Sequence, residues 1–144
     1  MGFRNVNDKN ERLFKNGGVY DIVKKECPEA ETYMTDDAEI LVAAYGAAAR
    51  IAKSAVNAAR KEGIKAGLVR PVTLWPYPDK AIKDAAKNAK KILVTEMSMG
   101  QMVDDVKLAV ECRVPVHFYG RTGGVVPTPA EILGEIRKLG GVSE

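Results

Sequence analysis

Few side chains in this sequence combine the types and spacing that covalent chemistry requires. The single histidine, His117, falls inside an apolar run that reads as a strand, where a structural role is expected. No GxSxG turn accompanies it, so a Ser–His mechanism lacks its nucleophile. Cys27 and Cys112 lie far apart, form no CxxC pair and have none of the extra ligands that a zinc or iron–sulfur site needs. Both are expected as reduced thiols, Cys112 in the last turn of a helix with no His or cation cluster beside it to lower its pKa. No strand runs into GxGxxG and no GxxxxGKS/T loop occurs, which disfavours nucleotide hydrolysis.

What remains is a set of loop residues. Glu96 closes a strand-like run and precedes a helix start. It either acts as an acid or orients a partner group, or, as expected, is a carboxylate that accepts hydrogen bonds from the amides of that turn. Gly120-Arg121-Thr122-Gly123-Gly124 offers amides and a guanidinium able to hold a carboxylate or phosphate. The same residues equally suit a chain reversal with positive φ at the glycines and Arg121 paired to a surface acid. Leu74-Trp75-Pro76-Tyr77-Pro78 places two aromatics on a stiff loop, fitting a protein interface, with core burial of Trp75 as the competing account.

Positioning these loops is the task of an alternating strand and helix pattern that starts at Glu39 and reads as parallel α/β architecture. Glu39–Tyr45 is nearly all apolar, as expected of a central strand covered on both faces. Gly46 turns it into a helix with Ala48, Ile51, Ala52, Ala55 and Ala59 on one face, a stripe that packs close to a sheet, and Gly63 stops that helix. A strand over Lys65–Arg70 runs into the proline-rich loop, which forbids helix and central ladder alike. A helix over Asp79–Ala89, a strand over Lys91–Glu96, the Met97–Gly100 turn, a helix over Gln101–Cys112 and a strand over Val114–Tyr119 follow. Thr128-Pro129-Ala130-Glu131 combines a capping box with proline at the first helical position, and Ile132, Leu133, Ile136 and Leu139 form that helix's buried stripe. In open α/β sheets ligands and partners meet the carboxyl ends of the strands. These are here Tyr45-Gly46, Arg70–Pro78, Glu96–Gly100 and Tyr119–Gly124.

Hydrophobic residues make up 46% of the 144 and charged residues 28%, an ordinary globular balance that supports one packed core. The net charge of +3 comes from scattered basic residues and makes no electrostatic case for nucleic acid. No apolar run is long enough for a bilayer and Met1–Lys15 is too polar for a signal-peptide core, so a cytoplasmic location is expected. Residues 1–37 read as a lead-in, with a helical piece around Val19–Glu26 and a short strand near Glu31–Met34, and residues 38–144 as the α/β domain.

Four motifs in order carry a resemblance: Ala43-Ala44-Tyr45-Gly46 with Ala49-Arg50-Ile51-Ala52; Arg70-Pro71 through Leu74-Trp75-Pro76; Glu96-Met97-Ser98-Met99-Gly100-Gln101-Met102; and Phe118 through Gly124. From about Tyr33 to Leu139 the chain resembles the C-terminal, transketolase-C-like domain of the alpha-type subunit of 2-oxoacid:ferredoxin oxidoreductases, particularly those acting on branched-chain 2-oxoacids such as 3-methyl-2-oxobutanoate. The resemblance implies a three-layer α/β/α fold with a mostly parallel five-stranded sheet. Ile40–Tyr45 would be central, flanked by the strands near Leu68 and Val94, with Val116 beyond the latter and an antiparallel strand at one edge. It also implies a thiamine-diphosphate enzyme with magnesium and iron–sulfur clusters, which decarboxylates a 2-oxoacid, passes electrons to ferredoxin and forms an acyl-coenzyme A. The diphosphate motif, cluster cysteines and pyrimidine-side domain of that family are not in this sequence. The chain is expected to be a piece of a larger subunit, a split subunit or a stand-alone relative. Its expected role is docking of catalytic domains and partner subunits, with Gly46, Trp75, Glu96, Gly100, Arg121, Thr122, Gly123 and Gly124 as interface or anion candidates and no catalytic, cofactor or metal ligand of its own. A free-standing anion- or phosphate-binding module is the alternative.

Overall fold

The computed structural model describes residues 19–141. The first part of the expected lead-in, residues 1–18, and the tail 142–144 lie outside the described residues. In chain order the elements are α1 (Val19–Glu26), β1 (Ala30–Tyr33), β2 (Ile40–Ala44), α2 (Gly46–Lys61), β3 (Ala66–Pro71), α3 (Asp79–Ala85), β4 (Lys91–Glu96), α4 (Met102–Ala109), β5 (Val116–Gly120) and α5 (Pro129–Gly140). The five strands form one sheet in the order β1-β3-β2-β4-β5. β1 runs antiparallel to β3 and every other pair is parallel.

β2 lies at the centre because no polar residue interrupts it; all five of its residues are buried. Its pleat divides the core. Ile40, Val42 and Ala44 face α2 and α5, together with Leu68 and Leu93. Leu41 and Ala43 face α3 and α4, together with Val69, Ile92 and Val94. The architecture is therefore three-layer α/β/α. On α2, Ala48, Ala49, Ala52, Ala55, Val56 and Ala59 are buried, and this small stripe lets the helix lie close to the sheet.

The stop at Gly63 is a complete Schellman motif. Gly63 has φ +83°, its amide donates to Arg60 O over 3.1 Å, and the amide of Ile64 donates to Ala59 O over 3.0 Å. The start of α5 is likewise the expected capping box, with Thr128 and Glu131 bonded reciprocally and proline in the first turn.

Two helices end earlier than their apolar periodicity predicts. α3 stops at Ala85, because Lys87 and Ala89 donate to Asp84 O and Ala86 O, three residues back, in tighter turns that deliver the chain to β4. α4 stops at Ala109, with Glu111 and Cys112 both at φ +53°. Cys112 is thus past the helix and exposed, not in its last turn. The last strand begins at Val116 rather than Val114, and His117 on it is exposed rather than packed. The strand from the lead-in segment serves as the antiparallel edge of the sheet, Tyr33 opposite Leu68.

Candidate functional site

The carboxyl ends of β2, β3, β4 and β5 bring four connections to one side of the sheet. At the first, Gly46 adopts φ +56°, a conformation that L side chains reach at a cost. It opens α2 without a side-chain cap.

At the third connection Glu96 is 1% exposed. Its Oε2 accepts from Ser98 Oγ at 2.9 Å, Gln101 N at 3.2 Å and Met102 N at 3.1 Å, and its Oε1 from Val103 N at 2.9 Å. The carboxylate thus sits on the first-turn amides of α4, where the helix dipole and orphan N–H groups favour a negative charge. This is the amide-binding role expected from its place between strand and helix. Gly100 (φ +100°) turns the chain above it, its α-carbon close enough to Val103 and the Phe118 ring that a Cβ would stand 3.2 Å from Val103 Cγ1.

The fourth connection is closed by its own residues. Arg121 Nη2 donates to Glu131 Oε1 over 2.5 Å and its Nε to the Tyr119 hydroxyl over 3.1 Å. Gly123 and Gly124 have φ +69° and +78°, and the amide of Val125 donates to Thr122 O over 3.4 Å. Glu131 is held below the usual carboxylate range by the Thr128 amide and the Arg121 guanidinium. The guanidinium proposed for an external anion therefore already has a carboxylate, as in a chain reversal.

The second connection presents the aromatics. Pro76 and Pro78 are buried and anchor the loop, while Trp75 is 58% exposed and meets the Tyr20 ring edge-on at 5.9 Å. Core burial of Trp75 is thus not what the fold uses. Tyr77 turns inward. Its hydroxyl is buried without a hydrogen-bond partner among the described residues, and burial, aided by the charges of Asp105, Asp79 and Glu96, pushes its ionisation well above the usual phenol range. Burial also raises the Asp105 carboxyl, again aided by Asp79.

Around these loops stand apolar side chains the sequence reading did not single out for exposure. Leu74, Met97, Val125, Val126 and Phe118 are exposed, Met99 is 83% exposed, and Leu108 on α4 is 73% exposed. Leu108 could have been found from periodicity, since it lies two residues from buried Val106 and so on the opposite helical face. The methionines carried no such signal, because a turn has no period.

Residues 38–132 match the family described as pyruvate:ferredoxin oxidoreductase core domain II. The ketoisovalerate oxidoreductase subunit VorB of Methanothermobacter marburgensis is 44% identical over 124 residues, covering 86% of this chain and 35% of that subunit. The 2-oxoglutarate synthase subunit KorA of the same organism is 41% identical over 102 residues, covering 71% of this chain and 27% of that subunit. The chain spans about a third of the length of these relatives. Among solved structures, a 2-oxoglutarate:ferredoxin oxidoreductase from Magnetococcus marinus, with 2-oxoglutarate, coenzyme A and succinyl-CoA bound, superposes at TM-score 0.67 and 18% identity, over 82% of this chain and 21% of that one. A split gene transketolase in an inactive beta4 tetramer gives TM-score 0.65 at 16% identity, over 81% of this chain and 42% of that one. At such identities the likeness to both structures is one of fold.

Proposed function

This chain belongs to the core domain II family of pyruvate:ferredoxin oxidoreductases, within the 2-oxoacid:ferredoxin oxidoreductases, and from that membership we propose that it is a docking domain of such an enzyme. The loops at the carboxyl ends of the strands meet the catalytic domains and partner subunits. The whole assembly decarboxylates a branched-chain 2-oxoacid oxidatively, transfers the acyl group to coenzyme A and delivers the electrons to ferredoxin in the cytoplasm. Thiamine diphosphate, magnesium and iron–sulfur clusters are supplied elsewhere in the assembly. Among the described residues no three His, Cys, Asp or Glu side chains stand together as metal ligands, and no helix is long and apolar enough to cross a membrane.

The observation that carries the docking role is the exposure of Leu74, Trp75, Met97, Met99, Val125 and Val126 on connections at one side of the sheet. Solvent gives no reason to gather large apolar side chains on three separate loops, whereas a partner surface does. The branched-chain 2-oxoacid is favoured by the similarity to VorB, a ketoisovalerate oxidoreductase subunit.

The test is co-purification of the chain with the remaining subunits of its oxidoreductase. Complex formation is expected, and Trp75→Ala should weaken it by about 2 kcal/mol, roughly thirtyfold in Kd, as truncation of a central aromatic anchor does. A wild-type chain that passes through the column without those subunits would refute the docking role.

A further inference from the structure

Beside the edge strand of the sheet, basic side chains outnumber the carboxylates that face them. Between the edge strand β1, its neighbour β3 and the first turns of α2 is a pocket of about 240 Å³, lined among others by Glu31, Tyr33, Gly46, Arg50, Lys53 and Arg70. Arg70 lies two residues from Leu68 on β3 and so shares its face, which packs on the α2 side of the sheet, and Arg70 lines the pocket together with Arg50 and Lys53. Three cations thus converge against one carboxylate. Glu31 pairs with Arg70 Nη1 at 3.0 Å, while Arg70 Nε has no partner among the described residues. Lys53 rests over the Tyr33 ring, 4.5 Å from its centre. Arg50 makes no ion pair among the described residues. Gly46 opens onto the same space, and a Cβ there would meet nothing within 4 Å.

We propose that this pocket binds the phosphate group of a small anionic ligand. Two guanidinium forks and an ammonium suit the several oxygens of a phosphate better than a single carboxylate. The volume is below the usual range for a whole drug-sized ligand, roughly 300–1,000 Å³, so the pocket takes a phosphoryl or diphosphoryl head and leaves the rest of the molecule outside. Gly46 and Arg70 stand at the carboxyl ends of β2 and β3, but none of the exposed apolar side chains Leu74, Trp75, Met97, Met99, Val125 and Val126 lines the pocket, and binding of a small anion here does not depend on their docking role.

The probe is inorganic pyrophosphate, titrated calorimetrically into the 144-residue chain at low ionic strength. Saturable one-to-one binding is expected, weakened about tenfold by Arg50→Gln or by Arg70→Gln, the loss of one charge-assisted contact. Lys107→Gln, on α4 at the opposite face, should leave it unchanged. Arg50 is exposed, so its variant keeps the fold even if Arg70→Gln does not, and circular dichroism checks both. Absent or unsaturable binding overturns the proposal, and so does an equal loss in Lys107→Gln, which would mean diffuse attraction to net charge. If pyrophosphate fails to bind while Arg50→Gln weakens subunit assembly, the pocket receives a partner carboxylate and the phosphate assignment is wrong.

Discussion

Among single residues, Glu96 has the most to lose. Its two oxygens accept from one hydroxyl and three amides in a site closed to water, so Glu96→Ala strands several donors at once. A cost on the order of 3 kcal/mol is expected in denaturant midpoints, against about 1 kcal/mol for Ser98→Ala, which removes a single contact. Glu131 behaves differently because it is only half-buried. Its ionisation is depressed from 4.5 by the Thr128 amide and then by Arg121. A depressed carboxylate stabilises the fold above its unfolded value and loses that contribution as pH falls through the folded one. The capping of α5 should therefore hold at neutral pH and weaken only below about 4.5, read as a falling thermal midpoint in acid. Arg121→Ala is expected to leave the neutral-pH midpoint nearly unchanged, since an exposed ion pair contributes little, and any loss of subunit assembly in that variant would then be an interface effect. The seat of Glu96 was legible in the sequence because a carboxylate between a strand and a helix start has amides waiting for it. The choice made by Arg121 was not, since its partner Glu131 lies across a loop whose reversal no local pattern specifies.

Among elements, legibility followed burial. β2, β3 and β4 are largely apolar and their positions agree with the sequence pattern, while their order and the antiparallel edge agree with what the family resemblance implies. The ends of α3 and α4 do not, because an apolar stripe marks which face is buried but not where the last carbonyl turns away. Where a terminus is chemically marked the reading was sharp, as at Gly63. Gly63→Val should cost more than about 1 kcal/mol. No atom crowds the new Cβ, so the loss would report backbone conformation alone. Gly67 tests the contrary case within β3. A Cβ there would stand 2.6 Å from Met34 O and 2.8 Å from Ala38 Cβ, so Gly67→Ala should destabilise by about 1–3 kcal/mol through overpacking. Equal stability of the alanine variant would show that the segment between β1 and β2 shifts freely.

For the molecule as a whole, the two sides of the sheet differ in what they leave uncovered. The chain spans about a third of its VorB relative's length, and its apolar loops lie together at one side. The isolated chain is expected to self-associate weakly at high concentration, and a Trp75→Ser, Met99→Ser pair should abolish this in sedimentation velocity without lowering the thermal midpoint. The strand order carries a further consequence, for the growing chain on the ribosome. β2 pairs only with β3 and β4, both of which are synthesised after it. At the usual speed of translation its wholly apolar segment waits for its second neighbour on the order of seconds. The element that follows it immediately, α2, forms from contacts within its own turns and presents an alanine face to β2. During that interval the helix is the nascent strand's nearest available cover, shielding one face from other polypeptides until the sheet can close over it.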